Sequence, residues 1–210
     1  MACGASNGAT ILSAPADKTP PNVTDLAALG ATRARLDAFA EEWRKQSWFV
    51  SLGAVPADGE LADARMLAEL LDPAPKIEWI ESFAAATQAI QGEDWSRAWW
   101  QREEELRQEL TDAAQALLGA AVLDRTVHRV IAEATSVTIG PAAVAASRFG
   151  IGEQTPARVA AGAATQAALH AWLLLAADRW SDAHPFAARY RLFAGGRWVL
   201  GGIGDVLKIF

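Results

Sequence analysis

Nine tryptophans stand in a chain whose commonest residue is alanine, which supplies 47 of the 210 residues. Alanine is the strongest helix former and has almost no bulk, so helices rich in alanine can pack closely. Closely packed helices still need large side chains to fill the gaps between them, and tryptophan is the expected filler. The pairing therefore predicts a compact, helix-rich core and points to no particular chemistry.

Charge and cysteine content limit the class of protein. The net charge of -6 and the pI near 5.1 argue against a nucleic-acid-binding protein, which usually carries a basic surface. Cys3 is the single cysteine in the sequence, so a disulfide within this chain cannot form. The first residues lack the basic and apolar segments of a secretion signal. We therefore expect a cytoplasmic protein.

Apolar residues at helical spacing predict a mostly α fold, a single-domain bundle of about seven helices. Residues 1–23 have no apolar periodicity and are expected to form a flexible N-terminal arm. A helical domain is predicted over residues 24–180, with a short helix and a β-hairpin over 181–210 packed on it. The predicted helices begin near residues 24, 58, 75, 94, 121, 141, 155 and 185.

Two proline and glycine signals set predicted boundaries. Gly140-Pro141 is expected to end the helix that begins near residue 121 and to start a short one. Near the C-terminus, Gly204-Asp205 fits a two-residue hairpin loop between β-rich runs at 198–203 and 206–210. Gly201-Gly202 is an alternative turn.

One apolar run is about as long as a membrane span. It extends from Val159 to Ala177 and is interrupted by Thr165, Gln166 and His170. Alanine and glycine contribute little transfer free energy, so the run predicts a buried core helix rather than a membrane helix. Its alanine-rich first half would let a neighbouring helix approach closely, which favours a central position.

Few residues suggest a metal or ligand site, and no cofactor is predicted. Asp124 and His128 stand four residues apart on one predicted helix and could reach one ion, although a surface hydrogen bond is the commoner meaning. His170 lies in the most apolar helix, where burial would lower its pKa and Gln166 could bond to it. The sequence has no nucleophile elbow and no phosphate-binding loop.

Carboxylates cluster on the helix that begins near residue 94. Together with arginines at 102 and 107 they are expected to form a solvated face, which would not tune their pKa values. They are Glu103, Glu104, Glu105, Glu109 and Asp112. This acidic helix and the basic residues of 179–210 could pair within the molecule or face partners, and the sequence leaves both open.

The tryptophans divide into two predicted sets. Trp43, Trp99 and Trp172 lie on apolar stripes and are predicted to be core residues. Trp48 and Trp100 lie off those stripes. Because tryptophan is enriched at interfaces, we interpret a second set as interface candidates. That set is Trp48, Trp100, Trp198 and Phe210.

The sequence favours a non-enzymatic protein that acts by protein–protein contact, as an adaptor, partner subunit or inhibitor, because no catalytic constellation is recognisable. Neither nucleic acid nor membrane is an expected partner, and a homo-oligomer is left open. One alternative is a helical small-molecule- or metal-binding protein or enzyme with a Trp-lined cavity and a buried histidine. Another is assembly through the edge of the C-terminal hairpin.

Overall fold

A computed structural model describes residues 23–71, 74–92, 94–152 and 154–210, with only the backbone given for 23–29 and 31. The predicted N-terminal arm and Cys3 lie outside the described residues. The described residues form seven helices and a three-stranded sheet, which confirms the mostly α fold. The elements are α1 (Val23–Trp43), α2 (Asp58–Ala68), β1 (Lys76–Trp79), α3 (Phe83–Gln91), α4 (Arg97–Leu118), α5 (Ala120–Arg148), α6 (Gln154–Ala176), α7 (Pro185–Ala194), β2 (Val199–Ile203) and β3 (Val206–Ile209).

Helix α6 lies at the centre of the structure, as its alanine content predicts. It packs against α1, α4, α5, α7 and β2, and most extensively against α5. One alanine-rich surface of α6 is buried, and without side-chain bulk the neighbouring helices can approach it closely. The buried alanines of its first turns are Ala157, Ala160, Ala161, Ala164, Ala167, Ala168 and Ala171.

Among the described residues, two helices, α5 and α6, are long and apolar enough to cross a membrane by length and composition alone. They differ in burial. In the most apolar 18-residue stretch of α6, 67% of the stretch is buried within the structure, whereas in that of α5 the buried share is 33%. Helix α5 therefore carries an apolar surface that the rest of the described chain leaves uncovered.

The predicted break at Gly140-Pro141 is wrong, because α5 continues through Pro141 to Arg148. A proline inside a helix removes one backbone hydrogen bond and usually kinks or ends the helix. Here Thr138 and Ala142 on either side are fully or almost fully buried, and α5 packs along α6 over its length. This tertiary packing outweighs the local cost of the proline.

The helix predicted from residue 75 is also wrong over residues 75–82. Residues 76–79 form β1, which pairs in parallel with β3 from Lys76 opposite Val206 to Trp79 opposite Ile209. Helix α3 starts later, where the Ser82 hydroxyl accepts the N–H of Ala85 at 3.2 Å. A strand that depends on a partner 130 residues away leaves only a weak local signal.

The predicted C-terminal hairpin is confirmed. Strands β2 and β3 are antiparallel, and Ile203 pairs with Val206 across the Gly204-Asp205 loop. Strand β1 covers the β3 edge of the hairpin, and on the other edge Trp95 forms a single bridge with Ile203 at the end of β2. Assembly through the hairpin edge would therefore have to use the rest of β2.

Gly202 is the point where the sheet meets α4. A β-carbon at this position would lie 2.9 Å from the Trp99 Cβ atom and 3.0 Å from its Cγ atom. Such contacts are shorter than carbon atoms tolerate, so only glycine lets Trp99 pack flat on β2.

Replacing Gly202 with alanine is expected to lower the free energy of unfolding by about 1–3 kcal/mol, the usual cost of overpacking a core. Urea titration followed by Trp fluorescence measures this loss. Gly162→Ala is the matched control, since a β-carbon there meets nothing within 4 Å and alanine favours an exposed helix position. Equal stability of the two variants would contradict this packing.

Arg197, just before β2, forms hydrogen bonds with α2 and with the loop before it. It is 2% exposed, and its Nε and Nη2 atoms each donate to the Glu60 carboxylate at 2.8 Å. The remaining donors reach the backbone oxygens of Ser51 and Ala54 at 2.7 Å and Val55 at 3.1 Å. The hydrogen bonds from Arg197 hold the pKa of Glu60 below the ordinary value.

Arg197→Met is expected to cost about 3 kcal/mol of stability, the lower end for removing one partner of a buried ion pair. The lower end applies because Glu60 keeps some solvent contact. Denaturant unfolding gives the value, with the exposed Arg179→Met as control. A loss as small as that of the control would show that the loop is held by other contacts.

Candidate functional site

Three of the four interface candidates lie in the core. Trp48, Trp198 and Phe210 are buried, and the Trp48 indole donates to the Trp43 backbone oxygen at 2.9 Å. In the described fold these three offer no free surface to a partner. Trp100 is 46% exposed and lies edge to face against Trp95, with ring centroids 6.2 Å apart. The predicted core positions of Trp43, Trp99 and Trp172 are confirmed.

The candidate metal ligands Asp124 and His128 form a surface pair. Both side chains are exposed, with His128 Nδ1 2.9 Å from the Asp124 backbone oxygen and 3.7 Å from its carboxylate. Among the described residues there is no group of three or more side chains able to hold a metal ion. The geometry is that of one helical turn, as the commoner meaning of the spacing predicts.

Glu103 is the chemically most distinctive residue that the sequence analysis missed. The prediction of a solvated face is wrong at this position, because Glu103 is 5% exposed. One carboxylate oxygen accepts the Trp99 indole N–H at 3.0 Å, and the other binds the buried guanidinium of Arg189 on α7. A signal for burial exists in the sequence: Glu103 lies between Trp99 and Leu110, four and seven residues away on one helical stripe.

His170 from α6 completes this buried polar cluster. Its Nδ1 atom lies 3.8 Å from the Glu103 carboxylate and has no hydrogen-bond partner in the described structure. The ring stacks on Phe186 with centroids 4.3 Å apart. Burial, reinforced by the nearby charges of Arg189 and Arg107, lowers the pKa of His170 to about 3. The imidazole is therefore neutral at ordinary pH.

The chemistry open to this cluster is limited by access. A neutral imidazole beside a carboxylate has the composition of an acid–base pair, but Glu103, His170 and Arg189 are all buried. Four of the surface grooves in the described part of the chain are lined by described residues that include neither histidine nor tryptophan. The cluster joins α4, α6 and α7 and presents no reacting atom to any of these four grooves.

Two surface features of α5 are the remaining candidates for contact. From residue 131 to 144 helix α5 carries one charged residue, Glu133, whose 35% exposed side chain lies 3.8 Å from that of Arg129. The eight more exposed positions in this range are uncharged, and we call these residues the apolar face. They are Ile131, Ala132, Thr135, Ser136, Ile139, Gly140, Ala143 and Val144. Nearer its start, α5 borders a groove of about 470 Å³ shared with α1 and α4, which we call the arginine groove. Its lining residues are Arg33, Leu36, Asp37, Leu118, Val122, Arg125, Thr126 and Arg129.

Comparison of the chain with protein-family models, curated proteins and solved structures finds no match. The candidate sites are therefore described by their geometry alone.

The lowered pKa of His170 predicts a pH-dependent stability. In the unfolded chain the imidazole binds a proton below about pH 6.5, whereas in the folded chain it stays neutral down to about pH 3. Between these values the unfolded state binds more protons, so stability falls as pH falls, by at most about 1.4 kcal/mol per pH unit.

Replacing His170 with phenylalanine is expected to remove this part of the pH dependence, whatever its effect on stability at pH 7. Denaturant unfolding of the variant and the wild type between pH 7 and pH 5 measures the difference in slope. His128→Gln, which changes an exposed histidine, serves as control and should keep the wild-type slope. An unchanged slope in His170→Phe would contradict burial of a neutral imidazole.

Proposed function

We propose that this protein acts in the cytoplasm by binding another protein, and that the apolar face of α5 makes the contact. The observation that carries the proposal is the absence of charge from the eight most exposed positions between residues 131 and 144, where the one charged residue, Glu133, is only partly exposed and pairs with Arg129. A contiguous exposed apolar surface on a folded chain commonly marks an interaction site.

The composition of the apolar face suits a helix of a partner protein. Ile139 and Val144 provide apolar area, and Val144 is 62% exposed. Between them Gly140 and Ala143 leave the helix backbone open to close approach. The adjoining groove of about 500 Å³, lined in part by Ile139, Gly140 and Ala143, adds a concave surface between α5 and α6.

Another protein is a better partner than a lipid surface or a second copy. Helices that lie on membranes combine large apolar residues with lysines and arginines on the opposite face, whereas half of the apolar face consists of Ala, Ser and Gly. In an antiparallel pair of copies, the start of one α5, with Arg125, would lie near the end of the other, which carries Arg148 and no carboxylate. That pairing brings like charges together and gives Arg125 no carboxylate there.

Trp100 is a second candidate contact residue. It is exposed at the start of α4 and supported from one side by Trp95. A large aromatic side chain held in place loses little conformational entropy on binding, which is why tryptophan recurs at interfaces. We expect Trp100→Ala to weaken the complex while leaving thermal stability nearly unchanged.

Placing two carboxylates on the apolar face tests the proposal. The double variant Ile139→Glu/Val144→Glu should lose a partner protein that the wild-type chain captures in stoichiometric amount from native cell extract. Burying an unpaired charge in an interface costs far more than losing an apolar contact. Val55→Glu, at an exposed loop position, is the matched control and should retain the partner.

Three outcomes would overturn the proposal. The first is capture of the same proteins in the same amounts by the double variant. The second is sedimentation of the wild-type chain as a dimer that the double variant abolishes, since the face would then join two copies. The third is cosedimentation with phosphatidylcholine–phosphatidylglycerol vesicles that depends on Ile139 and Val144. Thermal melting of each variant shows that the chain remains folded.

A further inference from the structure

The arginine groove carries positive charge on a chain that is negative overall. Three arginines and one aspartate line it, in a chain of net charge -6. Arg129 is already paired, 3.2 Å from the Asp37 carboxylate and 3.8 Å from that of Glu133. Arg33 and Arg125 are exposed, and neither makes an ion pair with another described residue. The groove thus offers two guanidinium groups without a carboxylate.

The wall between these arginines is apolar. Leu36 from α1 is buried at the base, Leu118 at the end of α4 is half-buried, and Val122 on α5 is exposed. A ligand that fits must therefore combine anionic groups with apolar surface. Carboxylates match the planar donors of arginine, which can bind both oxygens at once.

The arginine groove and the apolar face lie along one side of α5. Arg125, Ala132, Ser136 and Ala143 follow one another at steps of seven, four and seven residues, which places them on one stripe of the helix. At 1.5 Å per residue, Arg125 lies about 10 Å from Ala132 along the axis. One continuous segment of a partner can therefore span both features.

From this juxtaposition we propose that the arginine groove binds an acidic peptide segment of the partner protein. Carboxylates of that segment pair with Arg33 and Arg125, and apolar residues beside them pack on Leu118 and Val122. The inference rests on the proposed function and adds the chemistry of the partner. A nucleic acid fits the groove poorly, because the rest of the chain is acidic and repels a long polyanion.

A library of random 16-residue peptides displayed on phage, selected against the full chain, supplies the probe. We expect the enriched peptides to carry aspartate or glutamate next to apolar residues. Synthetic copies labelled with fluorescein give dissociation constants by anisotropy. Arg33→Gln/Arg125→Gln should weaken binding about 2- to 30-fold, the range that two exposed ion pairs provide, and added salt should weaken wild-type binding as well.

Arg65→Gln and Arg179→Gln are matched controls, because they remove exposed arginines outside the groove and should leave the affinity unchanged. A second control replaces the acidic residues of the selected peptide by their amides, which should weaken it as much as the double arginine variant does. Unchanged affinity in Arg33→Gln/Arg125→Gln would overturn the proposal, and so would equal binding of the amide peptide. Displacement of the peptide from the groove by millimolar decanoate, a fatty-acid anion, would also overturn it.

The result separates this inference from the proposed function. Suppose that Ile139→Glu/Val144→Glu loses its native partner, but that the binding of every selected peptide is independent of Arg33 and Arg125. Then only the groove inference fails. If peptides that depend on Arg33 and Arg125 bind but the apolar-face variant keeps all its partners, only the proposed role of the apolar face fails.

Discussion

Close contact between alanine surfaces is the constraint on which this fold depends. Helix α6 touches four other helices and a strand, and a helix with so many neighbours can carry little side-chain volume on most of its surface. Bulk is therefore supplied largely by its neighbours, by Trp43 on α1, Trp99 on α4 and Trp198 at the sheet, and on α6 itself by Trp172 in its second half. Buried polar groups on α6 can be hydrogen-bonded by its neighbours, although His170 Nδ1 is not. Thr165 has such a partner, since its hydroxyl lies 3.3 Å from that of Thr138 on α5.

The C-terminal segment is held by charge as well as by apolar packing. The sequence leaves open whether its basic residues pair internally, and the structure shows that four of them do. Only Arg189 reaches the acidic helix α4, whereas Arg191 and Arg197 pair with α2 and Lys208 pairs with β1. Their partners are Glu103, Asp63, Glu60 and Glu78. The most deeply buried of these pairs, Arg189–Glu103, is weak evidence for stability, because desolvation offsets much of the attraction. Such pairs do determine which helices and strands pack together, because burying an arginine without its carboxylate partner raises the free energy of the folded state.

The helices and the hairpin could be predicted from the sequence because their signals are local. Helix α7 shows this, with Pro185 as its first residue and His184 capping it by accepting the Phe186 N–H. Glu103 was mistaken for a surface residue because charged neighbours on both sides outweighed the stripe that it shares with Trp99. Its burial depends on Arg189, which is 86 residues away in the sequence, and no local sequence pattern predicts a partner at that distance. Strand β1 was missed for the same reason. Among the candidate contact features, the sequence predicts only Trp100. It does not predict the apolar face, because the packing of the other helices determines which side of α5 stays exposed.

Helices α4 and α5 differ in the number of charged residues on their exposed sides. Both α4 and α5 are long helices with one side against the core and the other exposed. Between residues 100 and 112 of α4, five of the eight exposed positions are charged, whereas between 131 and 144 of α5 none of the eight is charged. Scattered apolar residues on a surface are ordinary, but eight uncharged exposed positions over four turns of one helix, beside a single partly exposed glutamate, are not. The folded chain does not require them, because α5 buries its other side on α6. A surface that is dispensable for folding and unfavourable for solubility is best explained by contact with another molecule.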